Sequence, residues 1–213
     1  MTRFLIVRHG ESEANRFEIF CGQTDYALTE NGVLQAQGTA QHIGENYRVS
    51  HIYASDLRRA YHTALSIGAA TGAPVTAEKR LREIHCGDWE EAPFGEMLMR
   101  WPDTYPVWLH DIGNCQCPGG ESVRDVVDRV LPLLDEIAAC HAGETVVLAS
   151  HGTVIRALLC VLDGKPLEEM KNIPWPHNAS LTEVIYEDGA WRFVRRDDDG
   201  HLGELSTGLP DTV

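Results

Sequence analysis

Apolar positions along this chain come in two alternating patterns, short unbroken runs and stripes spaced by three and four. Residues 3–7 form an apolar run too short for a helix and predict a buried strand. Residues 16–28 have no period and carry Gly22 and Asp25, so a loop is expected. Thr29 is a good N-cap, and Val33, Ala36, Ala40, Ile43 and Tyr47 then place a helix to about residue 46. Residues 51–54 predict a second strand. Ser55 stands where it can cap the next helix, which should end near Gly72, with Pro74 beyond it and a third strand over 74–77. Residues 122–142 predict a long amphipathic helix with Val123, Val126, Val127, Val130, Leu134 and Ile137 on one stripe, a kink at Pro132 and a stop at Gly143. A strand over 144–150 and a helix over 153–162 follow. Residues 180–186 and 191–196, joined by Glu-Asp-Gly-Ala, read as a hairpin.

Strands alternating with helices imply an α/β fold, here a three-layer α/β/α sandwich on a mostly parallel sheet with an antiparallel edge. Residues 88–121 break the alternation, with Pro93, Pro102, Pro106 and Pro118 scattered among Trp89, Trp101, Tyr105 and Trp108. This stretch predicts a cap insertion of short helical pieces over the strand ends. Its aromatics either line a pocket or pack the insertion. The domain should end near residue 196, and residues 197–213 read as an acidic, Gly-containing, loosely held tail.

At 213 residues the chain fits one domain. Its formal net charge of −14 argues against nucleic acid or an anionic membrane as partner. No apolar run is long enough to span a membrane. Too few residues precede the first strand for a signal peptide, which points to the cytoplasm and to six cysteines kept as free thiols. Cys115-Gln-Cys117 lacks common zinc spacing, and no metal site is expected. An anionic substrate would need a local positive island in this negative chain.

Two strand ends supply candidates for that island. The run of residues 4–7 stops at Arg8-His9-Gly10, and that of residues 145–149 stops at Ser150-His151-Gly152. Ligands of open α/β sheets bind at the carboxyl ends of strands, so two imidazoles could share one crevice. Histidine is nucleophilic near neutral pH, and arginine is the forked cation that suits phosphate. Arg58 or Arg59 opens a helix at its positive end. There is no G-x-G-x-x-G, Walker A loop, G-x-S-x-G elbow or H-E-x-x-H helix.

These residues resemble the histidine phosphatase superfamily, the phosphoglycerate mutase-like proteins. The match begins with Leu5-Ile-Val-Arg-His-Gly-Glu-Ser-Glu-Ala-Asn15. It continues through Cys21-Gly-Gln-Thr-Asp25 and Ser55-x-Leu57-x-Arg59-Ala60-x-x-Thr63. Leu81-Arg-Glu83, Pro118-Gly-Gly-Glu-Ser122 and Ser150-His-Gly152 complete it. The resemblance implies a phosphoglycerate mutase-like fold and selects Arg59 over Arg58. It also implies roles. His9 attacks phosphorus, while Arg8, Arg59 and His151 hold the equatorial oxygens. Asn15, Cys21, Gly22, Gly152 and Thr153 complete the phosphate cradle. Glu83 protonates the leaving oxygen and then deprotonates water, and burial under the cap favours its neutral acid. No metal or other cofactor is implied, because the cations do the electrostatic work.

Within the family, Ile84 and Cys86 replace an arginine and a tyrosine that hold phosphoglycerate in the mutases, and Arg100 is the one strong cation of residues 88–121. The expectation is therefore a phosphatase acting on a small phosphorylated metabolite, on the branch similar to alpha-ribazole phosphatases and broad-specificity phosphatases. A phosphoglycerate mutase and a catalytically silent phosphate-binding module are the alternatives. A homodimer is compatible with either.

Overall fold

The computed structural model of the protein describes residues 1–209. Its middle layer is a six-stranded sheet: β1 (Thr2–Arg8), β2 (His51–Ala54), β3 (Val75–Ala77), β4 (Thr145–Ser150), β5 (Leu181–Glu187) and β6 (Ala190–Asp198). The order across the sheet is β3-β2-β4-β1-β5-β6. The first four strands in that order pair in parallel. β5 and β6 add the antiparallel edge. Asp188 and Gly189 turn that hairpin with φ of 52° and 80°, the mirror-image turn that matches strand twist.

Among the described residues seven α-helices accompany the sheet: α1 (Glu13–Arg16), α2 (Glu30–Asn46), α3 (Arg58–Thr71), α4 (Met97–Arg100), α5 (Tyr105–His110), α6 (Val123–Cys140) and α7 (Gly152–Val161). Successive strand residues face opposite layers. Leu5, Val7, Val147 and Ala149 pack with Ala40, Ile43, Ala64 and Ile67 of α2 and α3. Phe4, Ile6, Val146 and Leu148 pack with the apolar stripe of α6 and with α7. Burial on both faces explains why β1 and β4 are unbroken apolar runs rather than alternating ones.

Local signals place the helix ends. Thr29 Oγ1 accepts the Gly32 amide at 2.9 Å. Ser122 and Asp125 form a reciprocal capping box at the start of α6. Gly72, with φ of 74°, closes α3. Pro132 lies inside the continuous span of α6.

Three expectations need correction. Val33 is exposed, whereas Ala36, Ala40 and Ile43 face inward as expected and are joined there by Gly32, Gln35 and Thr39. Hydrophobic spacing misses Gln35 and Thr39 because they are buried polar residues. Ser55 is not the cap of α3; Leu57 holds that position without a side-chain bond. The described part of the tail is not loosely held. Asp197 and Asp198 belong to β6, and the chain then returns over α2. Gln35 Nε2 donates to the Leu205 carbonyl at 2.7 Å and to Thr207 Oγ1 at 2.8 Å. His201 stacks on His42, and Leu202 is buried. The polar inner face of α2 needs partners, and the tail supplies them. Residues 210–213 lie outside the described residues.

Residues 88–121, the expected cap, carry α4, α5 and single 3-10 turns. Phe20 gathers its aromatics edge-on, with Trp108 at 4.9 Å and Trp89 at 5.3 Å between ring centres. Trp89 and Tyr105 therefore pack the insertion, whereas Trp108 both packs and borders a cavity. All six cysteines are free. Among the described residues, no helix is long and apolar enough to cross a membrane.

Candidate active site

β1 and β4 are neighbours in register, with Arg8 opposite Ser150, so the residues after them emerge together. The His9 amide donates to the Ser150 carbonyl at 3.0 Å. The rings of His9 and His151 lie 5.1 Å apart. Gly10 must be glycine, because a Cβ there would meet the Gly32 carbonyl oxygen at 2.3 Å. That close approach anchors the turn after His9 against the start of α2.

His9 Nδ1 lies 2.7 Å from the Gly10 carbonyl oxygen. A carbonyl only accepts, so Nδ1 carries the proton and Nε2 keeps its lone pair in the neutral ring. Burial, then the nearby Arg59 and Arg8 guanidinium groups, hold His9 well below the usual imidazole range. The same causes, in the order burial, Arg59 and His9, depress His151. Both rings are therefore uncharged at neutral pH.

Arg8 and Arg59 are each 2% exposed. Arg8 donates to the Pro176 carbonyl. Arg59 donates to the carbonyls of Gly22 at 2.7 Å and Thr24 at 3.0 Å. Among the described residues neither arginine forms an ion pair. Burial lowers the Arg8 guanidinium to about 10, against the pull of Glu83. Arg58, by contrast, is exposed at the helix start.

The loop that orients Arg59 is itself held by Glu90. Its carboxylate accepts the amides of Gly22, Gln23 and Thr24 and the Thr24 hydroxyl at 2.7–3.2 Å. The Gly22 amide is thus already engaged and does not face the cavity; its carbonyl serves the site by holding Arg59. Thr153 also differs from expectation in part. It borders the cavity, but its amide donates to Glu83 Oε2 at 3.0 Å. The Ile84 amide donates to Glu83 Oε1 at 2.8 Å. Arg129, paired with Glu121, donates to the Arg80 and Glu83 carbonyls and fixes the backbone that carries Glu83. Glu83 is buried, unlike an ordinary surface carboxylate.

Arg8, His9, Asn15, Cys21, Arg59, Glu83, Gly152 and Thr153 border one cavity. His151 lies beside His9, with Nε2 2.7 Å from Ser55 Oγ. Asn15 Oδ1 accepts from Ser12 and Asn178, which leaves its NH₂ group as the donor to the cavity. Burial pushes the Cys21 thiol up to about 11, so it is a neutral group and a poor nucleophile. The opposite wall is apolar: Ile19, Phe20, Ile84, Phe94, Trp108, Trp175 and Leu209. Arg100 pairs with Glu96 and lies over Trp101, away from this lining. His177 is bound to Asp197.

The family model described as histidine phosphatase superfamily, branch 1, matches residues 4–199. The chain belongs to the histidine phosphatase superfamily. Phosphoserine phosphatase 1 of Hydrogenobacter thermophilus is 33% identical over 96% of both chains. A glucosyl-3-phosphoglycerate phosphatase of Mycolicibacterium vanbaalenii is 34% identical over 91% of both. The solved structure of Bacillus stearothermophilus YhfR superposes with a TM-score of 0.90 at 29% identity, covering 95% of this chain and 100% of that one. Other relatives carry the name probable phosphoglycerate mutase. For a histidine phosphatase, the informative residues that sequence reading missed are Ser55 as a partner of His151, Glu90 and Arg129. Only Ser55 stood inside a recognised stretch, and nothing local announced what any of the three would touch.

Proposed function

We propose that this histidine phosphatase hydrolyses phosphate monoesters through a phosphohistidine on His9, and that it takes esters whose leaving alcohol is uncharged next to the ester oxygen. One observation carries the first part. Two buried guanidinium groups that form no ion pair among the described residues flank a neutral imidazole whose lone pair is on Nε2. Buried charge without a partner is costly, so the site is arranged for an anion to arrive.

The Nε2 lone pair attacks phosphorus and the P–O ester bond breaks. Arg8 and Arg59 balance the oxygens of the transferred group. The Glu83 carboxyl gives its proton to the leaving oxygen. Water then attacks phosphorus, Glu83 takes a proton from it, the P–N bond breaks and phosphate leaves. These steps need no metal, in keeping with phosphatases of this superfamily.

The apolar wall supports the second part. A mutase must retain a doubly phosphorylated intermediate while it turns round, which needs cations at both ends. Ile84 and Cys86 line the cavity where such groups would stand, and its guanidinium groups are Arg8 and Arg59 alone among the described residues. The intact catalytic set speaks against a silent binding module. Six free thiols fit a reducing compartment, the cytoplasm. The test is to incubate the protein with p-nitrophenyl phosphate and with 3-phosphoglycerate. Free phosphate should appear from the aryl ester. Rapid formation of 2-phosphoglycerate, with little free phosphate from either compound, overturns the phosphatase reading.

A further inference from the structure

We propose that Ser55 is a positioning residue that fixes the tautomer of His151, keeping the ring proton on Nδ1 as a donor to the phosphoryl group. The inference rests on the phosphatase reading above for its purpose, but not for its geometry.

Donors and acceptors around Ser55 leave one consistent arrangement. Ser55 is fully buried, and its Oγ accepts the Leu57 amide at 3.3 Å. The same oxygen lies 2.7 Å from His151 Nε2. His151 is also fully buried, and its Nδ1 has no protein partner among the described residues. A hydroxyl has one proton to give. If His151 gave the proton from Nε2, the Ser55 proton would have no acceptor among the described hydrogen bonds. The ring beside His9 would then present a lone pair, which would repel the oxygens of an anion bound to His9. If Ser55 gives its proton to Nε2, the hydroxyl is fully used and Nδ1 carries N–H.

That N–H is buried and unsatisfied beside His9, whose ring centre is 5.1 Å away. An unsatisfied buried donor is costly unless a ligand completes it. A phosphoryl group on His9 is the acceptor that the position fits. Burial and the neighbouring Arg59, His9, Arg129 and Arg8 disfavour the doubly protonated ring. A neutral ring has only one N–H, so its location matters. Ser55 thus does for His151 what the Gly10 carbonyl does for His9, with the opposite sign. A pure acceptor places the proton on Nδ1 of His9 directly. A donor on Nε2 of His151 drives the proton to Nδ1 from the far side.

The experiment reads the tautomer by long-range ¹H–¹⁵N correlation in protein with ¹⁵N-labelled histidine, without substrate, and pairs it with kinetics on p-nitrophenyl phosphate. Wild-type His151 should show a protonated Nδ1 and a bare Nε2, the minor form of free histidine. Ser55→Ala should populate the Nε2–H form and lower kcat by about 10²- to 10³-fold, the scale of losing one preorganised donor. Ser55→Thr keeps the hydroxyl and should restore the tautomer and most of kcat. Wild-type His151 with its proton on Nε2 overturns the proposal. So does Ser55→Ala with both an unchanged tautomer and a wild-type kcat. Should Ser55→Ala not fold, the wild-type spectrum decides. A protonated Nδ1 in a protein that hydrolyses no phosphate monoester would sink the phosphatase reading and leave this one standing.

Discussion

The floor and the wall of the cavity are held by different forces. The floor, Arg8, His9, Arg59 and Glu83, with His151 buried against His9, is fixed by short hydrogen bonds from strand ends and helix starts. The wall, Phe20, Phe94, Trp108 and Trp175, is fixed by ring-on-ring packing within the cap and beside it. Hydrogen bonds are directional, so the floor sets atoms to fractions of an ångström, as phosphoryl transfer requires. Apolar packing is non-directional, so the wall sets shape and dryness without choosing a reactive atom. In the proposed function, chemistry belongs to the first region and leaving-group choice to the second.

Substitutions that separate the two regions should give different kinetic signatures. Arg59→Ala removes a floor cation that has no replacement, and kcat should fall about 10³- to 10⁵-fold for every substrate. A loss below tenfold, or one confined to some leaving groups, would erase the distinction. Phe94→Ala trims the wall at a half-buried ring. KM for an aryl phosphate should rise about tenfold while kcat stays near wild type, since uniform binding is lost rather than transition-state binding. A small alkyl phosphate should feel little, and an equal effect on both esters would contradict the assignment of the wall.

The smallest effect is on stability. His9 and His151 stay neutral in the fold at pH values where an unfolded chain, with imidazoles near 6.5, takes up protons. The unfolded state then binds more protons, so stability is full above about pH 6.5 and is lost as the pH falls below it. Each ring contributes a slope of up to about 1.4 kcal/mol per pH unit. Urea midpoints of the ligand-free protein between pH 7 and pH 5 should show this, and His9→Asn should lose its share. The floor predicts the slope; nothing in the wall titrates in that range.

Much of the floor was legible in the sequence. The doubled strand-His-Gly pattern placed both imidazoles, and family spacing chose Arg59, buried here, over Arg58, which is exposed. What stayed hidden depends on contacts between distant segments. Ser55 reads locally as a helix cap, yet its partner is His151, 96 residues on. Glu90 carries no local signal of its role, yet it holds the amides of residues 22–24. Ala36, Ala40 and Ile43 of α2 were legible as its inward stripe, but Gln35 and Thr39 look like surface residues until the tail meets them. The wall was hidden for a different reason: aromatics that pack and aromatics that line a cavity have the same spacing, and Trp108 does both.

The central claim is that both strand ends serve one phosphoryl group carried by His9. The most direct measurement is to react Glu83→Gln, whose water step is slowed, with ³²P-labelled substrate and map the label by alkaline peptide digestion and mass spectrometry. About one phosphate per chain on the peptide containing His9, absent in His9→Ala, is the predicted result. Label on any other residue, or label that persists in His9→Ala, contradicts it.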